Sequence, residues 1–249
     1  LNAPASTTSP PMLVWGDSHA RALLPAFAEV AKRNGISAAI ATKSGCGPIL
    51  GINRPSGRAT QGCSEFNMRV LEYLRAKAVP QTVVLMARWP FWAEGTRAKG
   101  ESGGLANLVP ANEKVQRYGD ASHQLLEAGL EDLLSALDEA GHNVVILSGV
   151  PELGWNPPEK LLIAEYGGLE MPPGPLLADV RERQAKADAI LARLARKSGA
   201  TLIDTASVLC DERCRVRKDD ILLYRDDDHL SEAGAKFLLD NVEEQIFVR

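Results

Sequence analysis

The chain has 249 residues, enough to bury a sizeable core, and α/β chains of this length are often one domain. Its 45% hydrophobic and 24% charged content is that of a globular protein, and no apolar run nears the roughly 20 residues that span a bilayer. A net charge of −4 without a lysine or arginine stripe argues against nucleic acid as a partner and favours neutral or uncharged substrates.

Residues 1–11 are rich in Ala, Ser, Thr and Pro and lack the basic and apolar regions of a signal peptide, so they read as a linker ahead of one domain over 12–249. Met12 to Trp15 has the length of a buried strand, Gly16 breaks it, and from Ala20 the apolar spacing becomes helical. Ser18 is thus expected on a strand-to-helix turn, its hydroxyl above the C-terminal edge of a parallel sheet and beside backbone N–H groups. A helix is predicted over Ala20 to Asn34, with Pro25 near its first turn, and a second strand over Ile36 to Thr42. That strand opens into a loop whose Gly45 and Gly47 allow close backbone approach to a ligand. A helix from Glu65 to Ala78 is expected under a Ser64 cap, then a third strand, Thr82 to Ala87, delivering Arg88, Trp89 and Trp92 at its end.

Glu94 to Gln116 reads as a long loop, Tyr118 to Ala140 as a helix, Asn143 to Ser148 as a strand and Gly149 to Pro175 as a long Pro/Gly-rich connection. Leu176 to Ser198 is predicted helical, Ala200 to Asp204 a fifth strand, and Glu232 to Phe247 a terminal helix begun by Ser231. Strands alternating with helices in this way indicate a parallel sheet covered on both faces, with ligands bound beyond the carboxyl ends of the strands.

Cys46 with Cys63 and Cys210 with Cys214 each bracket a loop, which suggests two local disulfides and an oxidising compartment. Four free thiols, or a zinc site using all four cysteines, are the alternatives. A disulfide-bonded domain without an export signal of its own is expected to be part of a longer, membrane-anchored precursor.

Of the four histidines, His123 lies in a predicted helix, His142 on the opposite sheet edge, and His19 next to Ser18 is expected to point elsewhere. His229 is left as the base for Ser18, with Asp226 three residues before it to orient the imidazole. Asp227 and Asp228 then face solvent or cap the last helix; taken alone, the three acids are merely an acidic loop before a capping serine. A Gly-x-Ser-x-Gly elbow would need glycine at Ala20, and the later histidine ligands of a binuclear metallophosphoesterase are missing, so no metal and no cofactor is implied.

Together, Gly16-Asp17-Ser18-His19 after the first strand and Asp226-Asp227-Asp228-His229-Leu230-Ser231 before the last helix resemble the SGNH (GDSL-like) hydrolase superfamily. With the Cys46-Gly47-Pro48 loop, Arg88-Trp89, Val150-Pro151-Glu152 and the Cys210/Cys214 pair, the chain looks like the SGNH domain fused behind a membrane-embedded acyltransferase-3 domain. That resemblance implies a three-layer α/β/α sandwich on a five-stranded parallel sheet, flavodoxin-like, with Ser18 as nucleophile, His229 as base and Asp226 as its orienting acid. It further implies O-acyl, chiefly acetyl, transfer to or from bacterial surface polysaccharide, in the periplasm, tethered to the inner membrane by the preceding domain. The partners it implies are an O-acylated or acceptor carbohydrate and that covalently linked membrane domain. A free-standing extracytoplasmic carbohydrate acetylesterase, or a glycan-binding or acyl-relay module with weak hydrolysis, are the alternatives. The oxyanion hole it implies uses the Ser18 N–H, a glycine with candidates Gly45 and Gly47, and an asparagine after the third strand. The Gly-x-Asn-Asp block that carries this asparagine is replaced here by Arg88-Trp89. Arg88 is therefore expected as a substitute oxyanion donor or a glycan ligand, and Trp89 and Trp92 as sugar-stacking faces or plain packing.

Overall fold

The computed structural model describes residues 12–54, 62–77, 81–104, 108–113 and 120–247, so the expected linker lies outside the described residues. In chain order the elements are β1 (Met12–Gly16), α1 (Ser18–Ala22), α2 (Leu24–Arg33), β2 (Ala38–Thr42), β3 (Ile52–Asn53), α3 (Cys63–Arg75), β4 (Thr82–Met86), α4 (Trp89–Glu94) and β5 (Val109–Pro110). The second half adds α5 (Asp120–Glu139), β6 (Asn143–Leu147), α6 (Pro157–Gly167), α7 (Leu177–Ser198), β7 (Thr201–Ile203), α8 (Thr205–Leu209), β8 (Arg217–Lys218), β9 (Ile221–Leu222) and α9 (Glu232–Ile246).

Five strands form one parallel sheet in the order β2-β1-β4-β6-β7. The order reverses direction at β1, where β2 lies to one side and β4 to the other, and such a switch opens a crevice beyond the strand ends. Strand alternation sends Met12 and Val14 into one core and Leu13 and Trp15 into the other. The first core is closed by α2 and α9 through Phe27, Val30, Leu238 and Val242. The second is closed by α3, α5 and α7 through Leu71, Leu130, Leu133 and Leu191. The predicted three-layer sandwich is the fold observed.

Several local expectations are corrected. The helix after β1 is two helices, because Pro25 has no N–H to give the Arg21 carbonyl and the chain restarts at Leu24 with proline in its first turn. The N-cap of α3 is Gly62 in the left-handed region, not Ser64, whose N–H bonds instead to Asn53 Oδ1 at 3.0 Å. The segment after Arg88 winds at once into α4, and the loop beyond it contains β5, which pairs antiparallel with β3. The long connection before α7 contains α6, and α8 follows β7.

Gly16 explains the tight start of the Ser18 turn. A Cβ there would lie 1.8 Å from the Met86 carbonyl oxygen and 2.6 Å from Ala20 Cβ, so only glycine lets β1 end flush against β4. At the other end of the chain, Gly234 sits in the first turn of α9 against the Leu223 carbonyl, which a Cβ would approach to 1.9 Å. Both disulfides are present, Cys46–Cys63 and Cys210–Cys214, and no cysteine is free.

Candidate active site

Ser18 is the first residue of α1, and Asp17 before it is the N-cap. One Asp17 oxygen accepts the His19 N–H at 2.8 Å; the other accepts the Arg88 N–H at 3.0 Å and Trp92 Nε1–H at 3.3 Å. This carboxylate therefore locks the end of β1 to the end of β4 and fixes where the Ser18 hydroxyl points.

The other half of the site comes from the loop entering α9. The Asp226 side chain accepts the backbone N–H of His229 at 2.7 Å and of Asp228 at 3.2 Å, folding the acidic run into a compact turn. Ser231 caps α9, its Oγ accepting the Gly234 N–H at 3.1 Å. The turn presents His229 Nδ1 to both Asp226 oxygens at 3.0 Å and Nε2 to Ser18 Oγ at 2.8 Å. With a proton on Nδ1 shared among carboxylates, Nε2 is left to accept from the serine hydroxyl.

Asp228 corrects the sequence reading. It is neither solvent-facing nor a helix cap but buried, with Oδ1 2.5 Å from His229 Nδ1 and Oδ2 2.5 Å from Arg88 Nη1. His19, expected to point away from Ser18, makes no hydrogen bond to it; its ring lies 4.5 Å from that of His229, and its Nε2 is 3.6 Å from Asp228 Oδ2, an electrostatic contact beyond hydrogen-bond reach. Burial pushes the Asp228 carboxyl up, but the facing His19, His229 and Arg88 outweigh this and hold it well below the usual carboxylate range. Burial lowers the His229 pKa, and its two carboxylates override that to raise it to about 9. Asp226 is lowered in turn, because bonds from His229 outweigh its burial.

Arg88 is also corrected. Its guanidinium is buried among Glu101, Glu152 and Asp228, and its backbone N–H is spent on Asp17. It ties these segments together, each of its three guanidinium nitrogens facing a carboxylate. Glu152 is shared with Arg183 at 2.7 Å. Trp89 is wholly buried with Nε1 on the Leu147 carbonyl at 2.8 Å, so it offers no face to a sugar.

Ser18, Gly45, Arg54, Phe91, Trp92 and His229 line one open cavity of about 290 Å³, together with the acidic turn. Gly45 reaches it and Gly47 does not: the Gly47 carbonyl is held by Asn67 Nδ2 at 2.8 Å, and its Cα faces the Trp92 indole. Cys63 at the start of α3 anchors this loop through Cys46. Sequence reading missed Arg54 and Asn67. Nothing local marks Arg54, whereas Asn67, fully buried on α3, is a polar residue on an apolar helix face.

Donor atoms of His19, Asp228 and His229 lie within 4.8 Å of one another, as do those of Asp226, Asp227 and Asp228. Within these groups Asp228 also faces Arg88, and His229 Nδ1 is engaged by Asp226.

The model of the SGNH domain (fused to AT3 domains) matches residues 2–244 of the chain. The chain belongs to that family. No curated protein matches the domain. Among solved structures the SGNH domain resembles the lipopolysaccharide acetyltransferase periplasmic domain of Salmonella ser. Paratyphi A, at 17% identity and a TM-score of 0.68, covering 95% of this chain and 83% of that one. It also resembles Est24, a carbohydrate acetylesterase from Sinorhizobium meliloti, at 11% identity and a TM-score of 0.54, covering 96% and 99%. At these identities the likeness is one of fold. No helix of the described residues is long and apolar enough to cross a membrane.

Proposed function

We propose that this SGNH domain transfers an acyl group, chiefly acetyl, to or from bacterial surface carbohydrate through a covalent intermediate on Ser18. The observation that carries the reading is the 2.8 Å contact of His229 Nε2 with Ser18 Oγ, with Asp226 on Nδ1. Ser18 Oγ attacks the acyl carbonyl while its proton passes to His229 Nε2, and His229 then protonates the departing sugar oxygen. In the second half a sugar hydroxyl or water gives its proton to His229, attacks the acyl-serine carbonyl and releases Ser18. Which acceptor wins depends on how well the cleft orients a sugar against water.

Backbone N–H groups of Ser18 and Gly45 are the oxyanion donors of this reading. Lacking the asparagine, and with Arg88 committed, the site is short of one donor, which in a hydrolase costs on the order of 100 to 1000-fold in rate. That deficit favours acyl relay with slow hydrolysis as the second reading. The family's fusion to AT3 domains, the likeness to a periplasmic lipopolysaccharide acetyltransferase domain and to a carbohydrate acetylesterase, and two disulfides support a periplasmic domain working beside a membrane acyltransferase.

p-Nitrophenyl acetate turnover and labelling by a serine-reactive fluorophosphonate test the reading. Both are expected to vanish in Ser18→Ala; equal turnover in the variant removes Ser18 from the chemistry. Labelling at Ser18 with negligible turnover selects the relay.

A further inference from the structure

We propose that Arg54 is the anchor for an anionic group of the carbohydrate, a carboxylate or a phosphate, held in the same cavity as the acyl group on Ser18. The inference rests on the acyl-transfer reading and names the substrate class it takes. Three guanidinium groups close around the Phe91 ring, the Cζ atoms of Arg54 and Arg88 at 5.1 Å and that of Arg97 at 5.2 Å from its centroid. Arg88 is answered by three carboxylates, and Arg97 by Glu101 and the Gly104 carbonyl.

Arg54 has no such answer. Among the described residues it makes no hydrogen bond or ion pair, and its Nε is inaccessible and unpartnered. Among the described residues its guanidinium rests against the ring faces of Phe91 and of Trp92, the latter at 5.2 Å. Asp17 draws it electrostatically, but both Asp17 oxygens already accept N–H groups. Burial and the neighbouring Arg97 depress the Arg54 pKa from its ordinary value, a sign that the cation is under-compensated. Leaving a half-buried guanidinium without a counter-ion is costly, and a ligand that supplies one recovers that cost on binding.

The cavity is also sorted by charge. Asp226, Asp227 and Asp228 line it on the His229 side and repel an anion there, whereas Arg54 lies against Phe91 and Trp92. A substrate with its ester at Ser18 and an anionic oxygen pair at Arg54 matches both, since a guanidinium fork takes carboxylate or phosphate through two parallel bonds. The net charge of the whole chain, which favours neutral substrates, is overruled here by one local cation.

The test compares three acetylated methyl glycosides: a glucuronoside, its uncharged glucuronamide and a glucoside 6-phosphate. The wild-type domain is expected to favour a charged substrate over the amide by tenfold or more in kcat/KM, expressed in KM, and the larger of the two ratios tells carboxylate from phosphate. R54Q is expected to bring the ratio near one, and R54K to retain most of it. Equal wild-type constants for charged and uncharged sugars, or a preference that survives in R54Q, overturn the proposal. So does a fall in kcat of the same size on all three, which would place Arg54 at the reacting carbonyl. NMR titration with the unacetylated glucuronoside and glucuronamide gives the same preference as a Kd ratio without any turnover. Absent turnover with that ratio intact and lost in R54Q defeats the acyl-transfer reading alone.

Discussion

His229 carries two opposed pH dependences. Its pKa is raised from 6.5 to about 9 by Asp226 and Asp228, so the stability it contributes is full below pH 6.5 and is lost as pH climbs through 9. General-base function needs the neutral ring, so kcat/KM for p-nitrophenyl acetate is expected to rise over that same interval, with a midpoint near pH 9, while the melting temperature falls. Asp228→Asn removes a negative charge 2.5 Å from Nδ1 and is expected to move the activity midpoint to lower pH; an unmoved midpoint means that Asp228 does not set the base. The sequence made Asp226 legible because a carboxylate three residues before a histidine can reach it across a turn. Asp228 was hidden, since its burial depends on Arg88 and His19, residues 140 and 209 positions away, which no local pattern exposes. Arg54 was hidden for the same reason: its distinction is a missing partner, and only a folded neighbourhood shows that.

At the level of elements, legibility followed amphipathicity. β1, β4, α5, α7 and α9 bury enough apolar surface to print their period on the sequence. The α6 helix does not, because Leu162, Ile163 and Tyr166 face solvent, but Asn156 capping Glu159 N–H at 3.1 Å and the Pro157-Pro158 start were signals that could have revealed it. Two-residue strands such as β3 and β5 are too short to carry any period. The disulfides separate in effect at this scale. Cys46–Cys63 closes a span of 17 residues, for which the chain-entropy estimate is about 3 kcal/mol, and Cys210–Cys214 closes one of 4 and contributes less. Urea unfolding of C46A/C63A is expected to show about that loss, along with lower esterase activity because the bridge anchors the Gly45 loop. Equal losses in C210A/C214A would contradict the assignment.

Across the whole molecule, Arg88 joins what the fold would otherwise leave apart: the end of β4, Glu101 beyond α4, Glu152 after β6 and Asp228 before α9. Arg88 is the one cation that Glu101, Glu152 and Asp228 share, and Arg97 and Arg183 each face only one of them, so Arg88→Met breaks the buried cluster at its centre and is expected to destabilise the domain by about 3–5 kcal/mol. Denaturant unfolding within 1 kcal/mol of wild type would mean that water enters and rescues those acids. The Ser18 hydroxyl and the His229 imidazole stand 211 positions apart, one at the exit of the first strand and the other at the gate of the last helix. They can therefore meet only once both ends of the polypeptide have docked on the same sheet edge. On the proposed mechanism ester cleavage is thus a stopwatch for the last event of assembly: during refolding it is expected to return after the core has closed, and a fragment that ends short of His229 is expected not to display it.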